Sequence, residues 1–307
     1  MDHVVTVILF VHAPYARFLG QSLASILGQS YSSLEVIVLS DGSTEVRQAV
    51  EPFKDDRRWV LCSQGDQPFL LAANEKMKAC RGSYVATWNS DDIYRSDHVK
   101  ALVDAMESDP DCGAAFDNLE YFSDTDPGYN LGVHLIVPGD RAKKLALIRL
   151  SVQQIFEENF MTGPSSLIRK SVFQRVGGYD QNTFLNCDLH WFYRIAAYFP
   201  IRFVDYVGVK KRIHSLNNTA RNPHYEYGVK ELEHIRDHYP DVYCRIGKKV
   251  FNKKLGRKYF RLGLYYEELG DLDKAREAFK KAMLLRKLSF RYGWEYCRAS
   301  VGRAFTS

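Results

Sequence analysis

In the N-terminal third of the chain, unbroken apolar runs take turns with stretches of helical periodicity, and few folds accommodate that pattern. The runs are "VVTVILFV" (4–11), "LEVIVLS" (34–40), a shorter "WVLCS" (59–63) and "YVATW" (84–88). Between the first two, Phe18, Leu19, Ser22, Leu23, Ile26 and Leu27 recur at the spacing of one helix face, and a further helix is expected from about Leu70 to Cys80. A strand apolar at every position is covered on both faces, and strand–helix repetition with short links builds a parallel sheet between helices. Ligands of such sheets bind beyond the C-terminal strand ends. "LEVIVLS" stops at Asp41-Gly42-Ser43 and "YVATW" runs into Asn89-Ser90-Asp91-Asp92, so both acidic stretches are expected at one crevice.

The adjacent Asp91 and Asp92 admit two readings. In the plainer one they belong to a turn, because Asp, Asn and Ser side chains bond nearby amides, and Asp97 with Val99, Leu102, Val103 and Met106 announces a helix. In the other they bind a cation. Like charges side by side repel unless a positive charge lies between them, and Mg²⁺ or Mn²⁺ prefers such oxygens together with substrate phosphates.

With 307 residues, 46% hydrophobic and 26% charged, the chain is expected to be soluble and globular, with one large and one small domain or two ordinary ones. A net charge of +5 fits anionic ligands such as nucleotides, or weak attraction to an acidic membrane surface, and is too slight for a nucleic-acid partner. The cysteines at 62, 80, 112, 187, 244 and 297 form no CxxC pair and no zinc spacing, so free thiols in a reducing cytosol are expected. "MDHVVTVILFV" lacks a basic segment ahead of an apolar run that is too short for a secretory signal, and no run approaches a membrane span. A cytoplasmic protein follows, with peripheral contact to the cytoplasmic face of a membrane as an addition.

The middle of the chain is less regular. Residues 123–140 read as loop with one short strand, and "TGPSS" as a loop. A helix from Lys170 to Val176, a turn at Gly177-Gly178-Tyr179-Asp180, a helix from about Asp188 to Tyr198 and the strand "IRFVDYVG" follow. "RIHSLNNTARNPH" (212–224) reads as a mobile polar connection, which sets domains at 1–220 and 221–307. From about Tyr225 the pattern is helical. Tyr259, Leu262, Gly263, Tyr266, Gly270, Ala275, Phe279 and Ala282 fall at the spacing of a tetratricopeptide repeat, two antiparallel helices meeting at "LGD", although Lys287 holds the usual proline position. The three repeats of a free-standing solenoid are not found. This helical, tetratricopeptide-like region is expected to pack on the first domain or to form a homodimer, ahead of binding peptide. Its basic run of Lys248, Lys249, Lys253, Lys254, Arg257, Lys258 and Arg261 reads as a solvated helix face, the alternative being contact with an acidic membrane surface or a phosphorylated lipid.

"VTVILFVH" and "SLASILGQSYSSLEVIVLSDGST", followed by "ACRGSYVATWNSDDIY", resemble the N-terminal nucleotide-binding half of glycosyltransferase family 2. "GGYDQNTFLNCDLHWFYRIA" resembles that family's acceptor-side segment. The resemblance covers about residues 4–215. It implies an α/β chain of GT-A fold, with a Rossmann-like, mostly parallel sheet flanked by helices, the small C-terminal all-α region lying outside it. The implied activity is inverting transfer from a nucleoside diphosphate sugar, a UDP-sugar foremost, to a hydroxyl of a glycan, lipid-linked or protein acceptor in glycan or polysaccharide biosynthesis. Mn²⁺ or Mg²⁺ would stabilise the leaving diphosphate. By position, the resemblance gives Asp92 to the metal and Asp91 to the ribose or the metal. It gives Asp41 to the base, where a carboxylate can accept from the imide N–H of uracil. Phe10 and His12 would flank the base, although Phe10 suits a core position equally well. Asp188 matches the group that takes the acceptor proton; its plainer reading is a helix N-cap ahead of Leu189, Trp191, Phe192 and Ile195. His214, in "KRIHS", would add a nitrogen ligand and Arg212 touch phosphate, although a lone histidine is more often an ordinary surface residue.

Four positions depart from the family pattern. Ala13-Pro14 follows His12 where Asn is common, Ala73-Asn74 stands for Arg-Asn, Cys187-Asp188 keeps only the second acid of a pair, and Asn89 replaces the first carboxylate of the acidic loop. Rival chemistries lack their own residues. A haloacid dehalogenase phosphatase needs a nucleophilic Asp where Leu39 stands, and "VHAPYARFLG" offers neither the GxGxxG of a dinucleotide dehydrogenase nor the Gly-rich loop of a sugar nucleotidyltransferase. The remaining alternative is a scaffold with a vestigial sugar-nucleotide site and a partner-binding helical tail. The joint presence of Asp41, Asp91, Asp92 and Asp188 argues against it.

Overall fold

The computed structural model describes residues 3–124, 136–158, 161–183, 187–217 and 224–285. The chain divides into two compact units, Met1–Ala220 and Arg221–Ser307.

The first unit begins with β1 (Val5–Val11), α1 (Ala16–Leu27), β2 (Leu34–Ser40), α2 (Thr44–Val50), β3 (Trp59–Ser63), α3 (Phe69–Ala79) and β4 (Tyr84–Asn89). β1 pairs in parallel with β2 and β4, and β2 with β3. Val5, Val7, Leu9 and Val11 join Leu19, Leu23 and Ile26 of α1 in one core, while Thr6 and Ile8 are buried on the opposite face. Cover on both faces is why β1 shows no apolar–polar alternation. The register sets Phe10 opposite both Leu39 and Asn89, and Val11 opposite Ser40. His12, Asp41 and the residues after Asn89 therefore leave the sheet along one edge.

The unit continues through β5 (Ile93–Tyr94), α4 (His98–Glu107), β6 (Ala114–Phe122), α5 (Gly139–Ala146), β7 (Arg149–Leu150), α6 (Val152–Glu158), β8 (Ser166–Arg169), α7 (Val172–Val176), α8 (Cys187–Tyr198) and β9 (Ile201–Arg212). Among the described residues the strand order is β3-β2-β1-β4-β8-β6-β9-β5, with β7 also on β9. β6 and β9 are parallel, whereas β8 runs antiparallel between β4 and β6.

β6 and β8 escape the sequence pattern for different reasons. β6 buries Asp117, Asn118 and Glu120, so it does not read as an apolar run. Each has a partner: Asp117 meets His98, Asn118 bonds the Val137 backbone through both ends of its amide, and Glu120 pairs with Arg95. Buried polar groups persist when bonded in this way, although Asp117 Oδ1, unlike its Oδ2, has no hydrogen-bond partner among the described residues. β8 is only four residues long and follows Pro164 closely. β9 also runs past Gly208 to Arg212, and Arg212 and His214 are 1% and 8% exposed. The expected polar connection thus opens as buried structure. The short strand expected within 123–140 falls largely outside the described residues.

The second unit comprises α9 (His224–His238), α10 (Pro240–Ile246), α11 (Lys248–Glu268) and α12 (Leu272–Leu285). α11 and α12 are antiparallel: Tyr259 meets Lys281, Phe260 meets Phe279, and Tyr266 meets Lys274. The turn between them is written in "LGD". Gly270 adopts φ +78°, its N–H donates to Glu267 O (3.0 Å), and Asp271 N–H donates to Tyr266 O (2.9 Å). That pair of bonds closes a helix with a left-handed residue, a conformation glycine adopts without strain. Asp271 Oδ1 then caps α12 by accepting Lys274 N–H at 3.1 Å. Most of the basic run on α11 is exposed or half-buried, but Lys258 packs towards Gly228 of α9 and burial lowers its pKa, so it departs from the expected solvated face.

Cys62, Cys80, Cys112, Cys187 and Cys244 are free thiols; Cys297 lies outside the described residues. Among the described residues no helix is long and apolar enough to cross a membrane.

Candidate active site

Three groups of residues meet at the C-terminal edge of β1, β2 and β4. The first surrounds Asp41. Its Oδ2 accepts the Ala13 N–H (2.8 Å) and its Oδ1 accepts the Ser43 N–H (3.1 Å). Burial works to raise its pKa, but these hydrogen bonds outweigh burial and hold the carboxyl below its ordinary value. Ala13, where the family pattern favours Asn, thus contributes through its backbone. Beside Asp41, Phe69 at the start of α3 lies with its ring 4.7 Å from Phe10 and 5.1 Å from His12. Phe69 completes an aromatic wall that the sequence reading, starting the helix at Leu70, passed over. Phe10 is half-buried rather than core, and His12 is exposed.

The second group is the acidic loop. The Tyr94 hydroxyl donates to Asn89 O and accepts Asn89 N–H, both at 3.0 Å, and so clamps the end of β4. Asp92 is 1% exposed and both its oxygens are engaged, Oδ1 by Arg212 N–H (2.9 Å) and Oδ2 by Asn89 Nδ2 (3.0 Å). Asp91 instead places Oδ2 3.1 Å from His214 Nε2. Leu216 N–H donates to His214 Nδ1, so the imidazole proton sits on Nε2 and points at Asp91. His214 is further fixed against the rings of Phe18 (4.6 Å) and Tyr15 (5.8 Å). Burial raises the pKa of both acids, Asp92 to about 7, where the charge of Asp91 adds to the effect and Lys211 opposes it. Two acids that resist ionising together are what a bound divalent cation would reverse.

This geometry bears on two of the expected site residues. The carboxylate that meets His214 is Asp91, itself buried, whereas Asp92 anchors the loop to β9. Arg212 is committed elsewhere: Nε donates to Asp91 O (2.8 Å), Nη2 donates to Gln21 Oε1 (2.7 Å), and Nη1 pairs with Asp124. Its guanidinium also lies between the rings of Phe18 and Phe122, at 4.8 and 4.7 Å. It braces the loop and does not present a free fork to phosphate. Lys211, half-buried and close enough for its charge to act on both acids, is a cation that the sequence reading did not single out. The donor set fits a divalent ion. Asp91 Oδ2 is an oxygen that a hard divalent ion would take, and His214 Nε2, 3.1 Å from it, would have to release its proton to serve as a second ligand. The carboxylate oxygen suits Mn²⁺ and Mg²⁺ alike.

The third group surrounds Asp188, in the first turn of α8. Its Oδ1 accepts Leu189 N–H (2.7 Å), and its Oδ2 accepts Gly163 N–H (3.3 Å). Gly163 passes so close to β4 that a Cβ there would lie 3.2 Å from Thr87 O and 3.6 Å from Asp188 Oδ2, which sets Asp188 beside the strand that carries the acidic loop. The Gly-Gly-Tyr-Asp turn is bolted on by Asn74. Its Nδ2 donates to Tyr179 O (2.8 Å), and its Oδ1 accepts Tyr179 N–H (2.7 Å). A Cβ on Gly178 would overlap the Asn74 side chain. The Tyr179 hydroxyl in turn lies 2.6 Å from Thr87 Oγ1.

The family model for "Glycosyl transferase family 2" matches residues 6–177, more than half of the 307-residue chain. An uncharacterized glycosyltransferase of Rickettsia prowazekii (strain Madrid E) is 24% identical over 229 residues, which cover 69% of this chain and 65% of the relative. The chain therefore spans just under two thirds of that relative. Among solved structures, S. aureus TarS 1-349 in complex with UDP-GlcNAc superposes with a TM-score of 0.68 at 12% identity, covering 98% of this chain and 92% of that one. The mannosyltransferase PcManGT from Pyrobaculum calidifontis, in complex with GDP-Man and Mn²⁺, gives 0.58 at 16% identity, covering 100% and 82%. These likenesses establish the GT-A fold, an α/β sheet flanked by helices with a C-terminal helical region. The sequence match and the fold agree, and the chain belongs to glycosyltransferase family 2.

Proposed function

We propose that the chain transfers a sugar from a nucleoside diphosphate sugar, a UDP-sugar foremost, to a hydroxyl acceptor with inversion at the anomeric carbon. The observation that carries this reading is the meeting, at one sheet edge, of Asp41 with its aromatic wall, the Asp91–His214 pair and Asp188. Asp41 accepts the imide N–H of uracil, while Phe10, Phe69 and His12 bound the ring. Asp91, joined by His214 once its Nε2 proton is released, would hold Mn²⁺ or Mg²⁺, which would supply positive charge to the departing diphosphate. Lys211 adds a fixed charge beside it. Asp188 accepts the proton of the acceptor hydroxyl as its oxygen bonds to the anomeric carbon and the sugar–phosphate C–O bond breaks on the opposite face. A carboxylate is a weak base, so proton transfer comes late, once the hydroxyl has become acidic.

The UDP-GlcNAc bound to TarS and the GDP-Man with Mn²⁺ bound to PcManGT support uridine or guanosine as the base and Mn²⁺ as the ion. The acceptor is a glycan, lipid-linked or protein hydroxyl in glycan or polysaccharide biosynthesis. The exposed Lys248, Lys249, Lys253 and Arg257 of α11 support peripheral contact with an acidic membrane surface.

The test is calorimetric titration of UDP and GDP, with and without Mn²⁺, into wild type, Asp91→Ala and Asp188→Asn. Mn²⁺-dependent binding of one nucleotide is expected, lost in Asp91→Ala and kept in Asp188→Asn, which in turn loses transfer. Binding of neither nucleotide to wild type overturns the proposal in favour of the scaffold.

A further inference from the structure

A second polar pair lies under the site, outside the donor and base machinery. His98, the first residue of α4, places Nδ1 2.7 Å from Asp117 Oδ2 and Nε2 3.2 Å from Pro164 O. Neither side chain of the pair has any solvent exposure. The His98 ring lies 4.6 Å from Trp88 and 5.7 Å from Tyr94, the residue that clamps Asn89. A Cβ on Gly208 would overlap both Asp117 Oδ2 and His98 Nδ1, so β9 leaves room for the pair by carrying glycine there.

The protons of this pair follow from its partners. A carbonyl oxygen only accepts, so Nε2 carries a hydrogen directed at Pro164 O. Nδ1 and Asp117 share a second proton, and that bond fixes the ring's orientation. Such a pair is a poor stabiliser, since well-packed apolar side chains serve the core at least as well. What it holds is the turn Gly163–Ser165, whose Gly163 N–H is the donor to Asp188 Oδ2.

We propose that His98, oriented by Asp117, is a positioning residue for Asp188: it pins the Pro164 carbonyl and thereby keeps the Gly163 amide against the carboxylate. The inference rests on the reading of Asp188 as the base only for its consequence in catalysis; the coupling itself is a property of the free protein.

Amide spectra of the labelled full chain test it without turnover. In wild type, Asp188→Asn shifts the Gly163 amide resonance, because that amide loses its carboxylate acceptor. In a His98→Asn background the same substitution leaves Gly163 unmoved. Asn reproduces only the Nδ1 donor, whereas Gln reaches the Nε2 position, so His98→Gln restores the response. Gly208→Ala, whose methyl displaces the pair, is a second route to the same loss. An undiminished Gly163 response in both His98→Asn and Gly208→Ala overturns the proposal. So does a wild-type His98 ring spectrum with no hydrogen on Nε2, a readout that needs no variant to fold. Full transfer by Asp188→Asn alongside intact coupling would reject the base and leave the positioning role standing.

Discussion

At the scale of single residues, Asp91 and Asp92 show how neighbours of identical chemistry divide their work. Asp92 turns inward, and its two oxygens satisfy Arg212 N–H and Asn89 Nδ2; Asp91 turns to His214. Removing Asp92 leaves a buried and a half-buried donor without an acceptor, a cost on the order of 1–3 kcal/mol. Asp92→Ala is therefore expected to lower the unfolding free energy by that amount; Asp91→Ala, which takes the acceptor from His214 Nε2 and Asn217 Nδ2, is expected to cost stability too, and it alone is expected to abolish Mn²⁺-dependent nucleotide binding. Denaturant melts of both variants, read beside calorimetry, check this. Loss of Mn²⁺-dependent binding in both variants alike would return the ligand role to an open choice between them. The sequence shows the acidic pair and its strand end, but which carboxylate meets His214 depends on where β9 delivers Arg212 and His214. Arg212 itself was unreadable for a related reason. A guanidinium in a polar stretch looks like a solvated phosphate ligand until Phe18, Phe122 and Gln21 close around it.

At the scale of elements, the N-terminal half was legible because β1, β2 and β4 are apolar throughout and α1 keeps its period, so local pattern and burial agree. Polar residues tie these strands together. Glu35 on β2 accepts from Thr6 Oγ1 of β1 (2.6 Å) and from Arg81 N and Nε ahead of β4 (2.9 Å each). Burial works to raise its pKa, and the bonds from Thr6 and Arg81 prevail and hold it below the ordinary value of a glutamate. A carboxyl depressed on folding contributes stability above its unfolded value, and that stability is lost as pH falls through the folded one. Glu35→Gln should thus cost on the order of 1–3 kcal/mol at neutral pH. Urea melts should show the gap between variant and wild type closing once the pH drops below the Glu35 folded value. A gap that persists in acid would place the Glu35 contribution in packing and not in charge. β6 illustrates the opposite case. Its buried Asp117, Asn118 and Glu120 are tolerated because partners from α4, the Val137 backbone and Arg95 reach them, and no local pattern announces partners so distant in sequence.

At the scale of the whole molecule, each unit carries its own core, and the residues assigned to donor, metal and base all belong to the first. The helical hairpin of the second unit rests on Gly263, where a Cβ would sit 2.5 Å from Phe279 Cε1. Phe279 and Tyr259 are buried and packed along the same seam, so the ring has little room to yield. Gly263→Val forces α11 away from α12 and adds a β-branched side chain to a helix, for an overpacking cost on the order of 1–3 kcal/mol. Hydrogen exchange read peptide by peptide separates the consequences. The substitution should speed exchange across 248–285 and leave the strands of 5–212 as protected as before. UDP with Mn²⁺ should do the converse, slowing exchange at the ends of β1, β2 and β4 in wild type and variant alike. Retained nucleotide protection in a loosened hairpin would assign the second unit a role apart from donor binding, such as acceptor or surface contact. Loss of that protection in Gly263→Val would instead make the helical unit part of what keeps the donor site competent, and the site residues named on the first unit would then be an incomplete set.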